Sequence, residues 1–292
     1  MVKNVLLIST LLAATGCAGL KSQGDAWSKV QTTAIGTPQS IGTGSAGCLQ
    51  GAESLTPDGP GFHVMRISRR RFYGHPALIQ ALREISAEAY QAKLGTLLIG
   101  DLSQPRGGPS NSNHVSHQSG LNVDLWIQQA EDFAQTGVTP TGLSLDAREN
   151  FYARSVLFSD RLELNPSFWS DKKTELLKKI ASRKDLDRVL VSPAIKKFFC
   201  ERFNSPENIS WMSKIRPWYG HDDHFHLTFK CPENDLLCVP PKPVVQDNAC
   251  DATLEWWWSE EARQVKEAPA EKPSVTLPER CNEVLSDITA QH

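Results

Sequence analysis

Short apolar stretches alternate with polar turns along this chain, and their period changes from place to place. Between His75 and Lys93 the apolar residues Leu78, Ile79, Leu82, Ile85 and Ala89 recur at helical spacing. Pro76 suits the first turn of that helix, where its missing N–H would have had no partner anyway. Gly95-Thr96-Leu97-Leu98-Ile99-Gly100 reads as a buried strand feeding a Gly/Pro/Ser/Asn-rich loop from Asp101 to Asn113. Leu121 to Gln128 reads as another strand. Asp171 to Ser182 and Pro193 to Phe203 read as helices, with a strand over Asp187 to Ser192 between them. The run His224-Phe225-His226-Leu227-Thr228-Phe229 alternates polar and apolar, the mark of a half-buried strand. On such a strand His224, His226 and Thr228 share one face, and Phe225, Leu227 and Phe229 enter the core.

The two ends differ from this middle. Lys3 precedes the apolar run Val5 to Ala14, which is too short to span a bilayer and ends in Ala14-Thr15-Gly16-Cys17. A secretion signal over residues 1–16 is expected, with Cys17 acylated as in a bacterial lipoprotein and the protein held in the periplasm at the outer membrane. Ala14 stands where such signals more usually carry Leu, so a plain signal peptide is the alternative. Residues 17–45, rich in Gly, Ser, Thr and Gln, are expected to form a tether or loosely packed arm. The main domain is assigned to residues 46–231. Residues 232–292, rich in Pro, Glu and Lys, are read as an extension pinned by disulfides. Trp256-Trp257-Trp258 in that extension is expected to pack on the domain, with a sugar-stacking platform as the alternative.

At 292 residues and 40% hydrophobic, the chain can bury a full core. A net charge of -2 gives no general pull toward nucleic acid. The local run Arg66, Arg69, Arg70 and Arg71 is expected to be a solvated face, with contact to an anionic polymer as the alternative. Setting Cys17 aside, six of the seven cysteines remain, an even number that implies three disulfides in an exported chain. The pairing is open, although the short spacing of Cys231 and Cys238 favours a local loop. No C-x2-C pair points to cysteine-bound zinc.

Five of the eight histidines fall in two clusters: His114 and His117, followed by Asp124, and then His221, His224 and His226. Imidazole and carboxylate suit Zn²⁺, and a catalytic zinc takes three protein ligands and keeps one position open. His117 on its loop, Asp124 on the strand it feeds and His226 on the second strand are the candidate ligands. Gly120 would permit the tight approach between the first two. His224, on the same strand face as His226, is placed to act as a base on water or to stabilise an oxyanion.

With Gln39-Ser40-Ile41-Gly42, Val64-Met65-Arg66, Arg70 to Pro76, Gly95 to Asp101, His114 to Asp124, Pro193 to Lys196 and Arg216-Pro217-Trp218, these residues resemble a known group. It comprises the lysostaphin-type metallopeptidases, D-alanyl-D-alanine peptidases and hedgehog domains. Within it the chain is most similar to the penicillin-insensitive murein endopeptidases. The resemblance implies a disulfide-braced α+β fold with a small, mostly antiparallel sheet and packed helices. It implies zinc-dependent cleavage of D-alanyl–meso-diaminopimelyl cross-links in peptidoglycan, without a covalent intermediate. By position it implies His117, Asp124 and His226 as zinc ligands, His114 as an additional metal contact, and His221 and His224 as catalytic histidines. It also implies the pairs Cys48–Cys281, Cys200–Cys250 and Cys231–Cys238. Ala130 to Trp169 lacks the histidine of a second metal site, so none is expected. Asp222 and Asp223 are expected to form a solvated turn, with hydrogen bonding to an imidazole as the alternative. A D,D-carboxypeptidase and a non-catalytic zinc-containing, peptidoglycan-binding lipoprotein are the competing readings.

Overall fold

The protein is described by a computed structural model covering residues 23–111, 115–136, 142–267 and 276–287. Cys17 and His114 lie outside the described residues. The strands in chain order are β1 (Gln39–Thr43), β2 (Ala46–Gln50), β3 (Glu53–Ser54), β4 (Asp58–Gly59), β5 (Phe62–Val64), β6 (Tyr73–Gly74), β7 (Leu97–Ile99), β8 (Asn122–Gln129), β9 (Leu186–Val191), β10 (Ile215–Pro217) and β11 (His224–Phe229). The helices are α1 (Gln23–Lys29), α2 (Pro76–Gln91), α3 (Leu145–Asn150), α4 (Asp171–Ser182), α5 (Pro193–Phe203), α6 (Ile209–Met212), α7 (Ala252–Glu255), α8 (Glu260–Glu267) and α9 (Arg280–Ser286). No helix of the described residues is long and apolar enough to cross a membrane.

The class is α+β, as expected. The principal sheet has seven strands in the order β10-β9-β11-β8-β7-β5-β4. Only β10/β9 and β7/β5 pair in parallel, so the sheet is mostly antiparallel. Helix starts follow local chemistry. His75 caps α2 by accepting from the Ala77 N–H at 3.1 Å, with Pro76 in the first turn. Ser170 and Ser192 accept from the N–H groups of Lys173 and Ile195 at the starts of α4 and α5.

Period-two alternation gives the central strands two different faces. Val123, Leu125 and Ile127 of β8 join Phe225, Leu227 and Phe229 of β11 in one core with Leu78, Ile79 and Leu82 of α2, Leu177 and Ile180 of α4, and Ile195 and Phe199 of α5. The opposite face of β8 presents Asn122, Asp124 and Trp126. Trp126 there packs with Met65, Leu98, Phe133 and Leu143 in a separate cluster. The helices therefore close one side of the sheet, and the polar positions of β8 and β11 meet on the other.

Residues 23–45 differ from the expected tether. They hold α1 and β1, and Trp27 is 2% exposed, packed with Ala34, Ile41, Cys48, Cys281 and Val284. Arg106 joins the segment between α1 and β1 to α9, donating to the Thr32 carbonyl and to the carbonyls of Val284 and Leu285 at 2.9–3.0 Å. Composition hid this because one tryptophan and one long-range arginine fix an otherwise polar segment. The three disulfides are Cys48–Cys281, Cys200–Cys250 and Cys231–Cys238, as the resemblance implied. The Cys231–Cys238 loop lies along β1, where the Gly42 N–H donates to Leu237 O and the Val239 N–H to Gly42 O, each at 2.9 Å.

The Cys48–Cys281 link spans 233 residues, so it removes much freedom from the unfolded chain. Replacing both cysteines by serine is expected to lower unfolding free energy by roughly 2–5 kcal/mol in urea denaturation. An unchanged midpoint would show that packing alone holds β2 to α9.

Candidate metal centre

Antiparallel pairing of β8 and β11 sets the register His224↔Trp126, His226↔Asp124 and Thr228↔Asn122. Directly opposite residues on one face bring their side chains within reach. The His226 Nδ1 accordingly sits 2.8 Å from Asp124 Oδ1, and both residues are buried. His117 arrives from the preceding loop with its Nε2 3.5 Å from the same carboxylate oxygen. Its ring meets that of His226 edge-on at 4.9 Å between centroids.

The loop reaches this position through two left-handed residues, His117 (φ 80°) and Gly120 (φ 76°). A Cβ at residue 120 would fall 2.4 Å from Leu49 Cδ2 and 3.1 Å from the His75 nitrogen, so only glycine fits between β2 and α2. The β1–β2 hairpin holds the loop from outside. Gln118 N–H donates to Gly44 O at 2.8 Å, Gln118 Nε2 donates to Ser45 O at 2.8 Å, and Ser40 Oγ donates to Ser119 O at 2.7 Å. The segment expected to be a tether thus braces the site.

One ligand-type atom from each of His117, Asp124 and His226 lies within 4.8 Å of the others. Two imidazoles and one carboxylate, all buried and converging, fit a divalent ion such as zinc, whose ligand atoms lie 2.0–2.2 Å from the metal. His226 is further held at its Nε2 by Asn122 Nδ2 at 3.1 Å, which also reaches Thr228 Oγ1 at 2.9 Å. Asn122 escaped the sequence reading, although its position two residues before Asp124 on one strand face was a usable signal.

His224 and His221 flank the triangle. The His224 Nε2 is 3.6 Å from Asp124 Oδ1, while its Nδ1 is held by Asp223 Oδ1 at 2.5 Å. His221 has a left-handed backbone (φ 53°), and its Nδ1 is 2.8 Å from the Tyr219 carbonyl. The His221 and His224 ring centroids are 5.0 Å apart. Burial, with His224 beside it, pushes the His221 imidazole down to about 4. Burial also works to lower His224, but the Asp223 hydrogen bond and the charges of Asp124, Asp223 and Asp222 outweigh it and raise the group above its ordinary value. For His226, burial outweighs Asp124, and its pKa is lowered.

Asp222 and Asp223 do not form the expected solvated turn. Asp222 is 6% exposed, accepts from Ser155 Oγ at 2.5 Å and pairs with Arg161 at 3.3 Å. Asp223 fixes His224. The arginine run is likewise more than a solvated face. Arg69 and Arg71 pair with buried Asp101 at 3.2 and 2.9 Å. Arg66 and Arg69 line a recess of about 210 Å³ shared with Asp124 and His224. The histidines open onto a larger cleft of about 710 Å³, bordered by Leu190, Trp218 and Thr228.

The α+β sheet thus carries a buried His/Asp/His triangle that could hold a metal ion, flanked by two more histidines at the edge of a cleft. Residues 40–286 match the family described as penicillin-insensitive murein endopeptidase. The protein of that name from Klebsiella pneumoniae subsp. pneumoniae is 34% identical over 287 residues, covering 98% of this chain and 99% of its own. Its counterpart from Yersinia pestis bv. Antiqua is 36% identical over 254 residues, 86% of each chain. That from Pectobacterium atrosepticum is 34% identical over 284 residues, 96% of each. The chain belongs to the penicillin-insensitive murein endopeptidase family.

Zinc titration of the purified protein is expected to saturate at about one ion per chain. Asp124→Ala, which removes the carboxylate shared by both imidazoles, is expected to abolish that binding while leaving the circular dichroism spectrum intact. Unchanged zinc stoichiometry in the folded variant would remove the triangle from consideration.

Proposed function

We propose that the protein is an exported, zinc-dependent peptidoglycan endopeptidase that hydrolyses D-alanyl–meso-diaminopimelyl cross-links between murein strands. The observation that carries this reading is the convergence of His117, Asp124 and His226 beside His224, with His221, His224 and His226 lining an open cleft. Family membership supplies the substrate class. His117, Asp124 and His226 would hold the zinc, with His114 as an additional contact. When bound, zinc polarises the scissile carbonyl and lowers the pKa of water toward ~7.

The chain's own residues handle the proton. Asp223 accepts from Nδ1–H of His224, which leaves Nε2 as the atom that takes a proton from the attacking water and passes it to the departing amine. His221 stays neutral near pH 7 because burial holds it down. Its Nδ1–H donates to Tyr219 O, so its Nε2 is left as an acceptor at the cleft wall. No serine or cysteine nucleophile enters this scheme, so β-lactams have nothing to acylate. Lipid anchorage at Cys17 and residence in the periplasm at the outer membrane complete the proposal.

Purified cross-linked murein is the test substrate. Digestion by the form beginning at Cys17 is expected to convert cross-linked dimers to monomers, to stop on chelation and to resume when zinc is added. Release of free D-alanine with dimers intact would establish a D,D-carboxypeptidase instead. Cleavage by a demonstrably zinc-free His117→Ala protein would end the metal mechanism.

The Asp223–His224 contact gives a finer check. His224→Ala is expected to reduce kcat by about 10²–10⁴-fold with zinc content unchanged. Asp223→Asn is expected to reduce it by roughly 10–100-fold, because the imidazole loses its orienting partner. Wild-type turnover in Asp223→Asn would reassign that carboxylate to a purely structural role.

A further inference from the structure

The tryptophans 256 to 258 lie outside the proton and metal chemistry, yet they are not part of the core. They form a single 3-10 turn with none of the three buried. Trp257 stands edge-on to Trp256, Trp218 and Tyr219, with ring centroids 5.3, 6.1 and 4.7 Å away. Trp218 keeps 55% of its surface exposed. Trp218, Trp256 and Trp257, with Arg188 and Arg216, line a groove of about 780 Å³. Arg188, Leu190 and Trp218 belong both to this groove and to the histidine cleft, so the two are continuous.

The groove is built rather than incidental. The Cys200–Cys250 disulfide ties the segment just before α7 to α5. Leu254 and Ala262, on either side of the triplet, are buried. Tyr219 Oη donates to the Ala262 carbonyl, and Arg216 pairs with Asp247 at 3.4 Å. Indole faces are thus held at the surface beside the cleft, where burial would have been favourable.

We propose that this groove binds the glycan strand of peptidoglycan while the attached peptide cross-link enters the histidine cleft. This rests on the murein reading above and extends it to the sugar backbone. A pyranose ring offers a flat C–H face that stacks on indole, and its hydroxyl and acetamido oxygens accept from guanidinium N–H groups. A cross-link is always attached to glycan, so a polymer substrate seated in the cleft must run past its mouth. Arg188 and Arg216 keep donors beyond those used by Asp187, Lys242 O and Asp247.

The test uses the full mature protein and glycan strands stripped of their peptides by an amidase, with binding followed by calorimetry. Chelated and zinc-loaded wild type are expected to bind these strands equally. Trp256→Ala and Trp257→Ala are expected to weaken binding at least about tenfold, equivalent to about 1.4 kcal/mol. Trp256→Phe should retain most of the affinity, and Arg216→Gln should lose part of it without removing an indole. No binding by wild type overturns the proposal, as does equal binding by wild type and both alanine variants. A preference for sugar-free stem peptides or anionic lipid vesicles over the strands overturns it too. Glycan binding by a protein that leaves murein cross-links intact would sink the endopeptidase reading and leave the sugar site standing.

Discussion

The pairing of β8 with β11 is the constraint on which the site depends. Because side chains alternate on a strand, a slip of one residue would send His226 into the helix-covered core and turn Phe225 or Leu227 toward the cleft. The core prevents that slip. Val123, Leu125 and Ile127 face the same helices as Phe225, Leu227 and Phe229, so the register that buries six apolar side chains also sets Asp124 opposite His226. Each large apolar side chain buried contributes about 1.5–3 kcal/mol, and a slipped register would forfeit that for all six. The ligand geometry is thus enforced by hydrophobic packing on the opposite face of the sheet.

The third member of the triangle depends on a different force. His117 sits on a loop, and loops lack a repeating pattern of backbone bonds to hold them. Here the β1–β2 hairpin supplies those bonds through Gln118 and Ser119, and the Cys48–Cys281 disulfide fixes β2 to α9. Disulfides persist where the environment is oxidising, so the geometry of the site depends in part on the redox state of its surroundings. The parts of the chain most distant in sequence therefore cooperate to position one imidazole.

What the sequence made legible follows from which interactions are local. The helices Asp171–Ser182 and Pro193–Phe203 and the strand His224–Phe229 were readable to the residue, because an apolar period and a serine or proline at the start define them. The pattern from His117 to Asp124 and the H-x-H of β11 carried the triangle. The hairpin role of residues 39–50 was hidden, since Gly, Ser and Thr look alike in a tether and in a tight two-stranded ribbon. Trp27, Arg106 and the burial of Asp222 were hidden for a related reason. Each gains its meaning from partners far away in sequence, Cys281, Val284 and Ser155 among them.

His221 and His224 show how little sequence distance is needed to separate two chemical roles. Three residues apart and 5.0 Å between ring centroids, they are driven in opposite directions. The His221 ring bonds to the Tyr219 carbonyl, which does not offset its burial, so it stays neutral. His224 is also largely covered, but it faces three carboxylates and is bonded to one of them. A cation held at Asp124 would offset part of that raising influence on His224. The same carboxylate that anchors the ligand triangle would then tune the neighbouring imidazole. Removing Asp124 would therefore damage binding and proton transfer together, whereas removing Asp223 would damage only the second. That separation distinguishes a catalytic arrangement of these histidines from a purely metal-storing one.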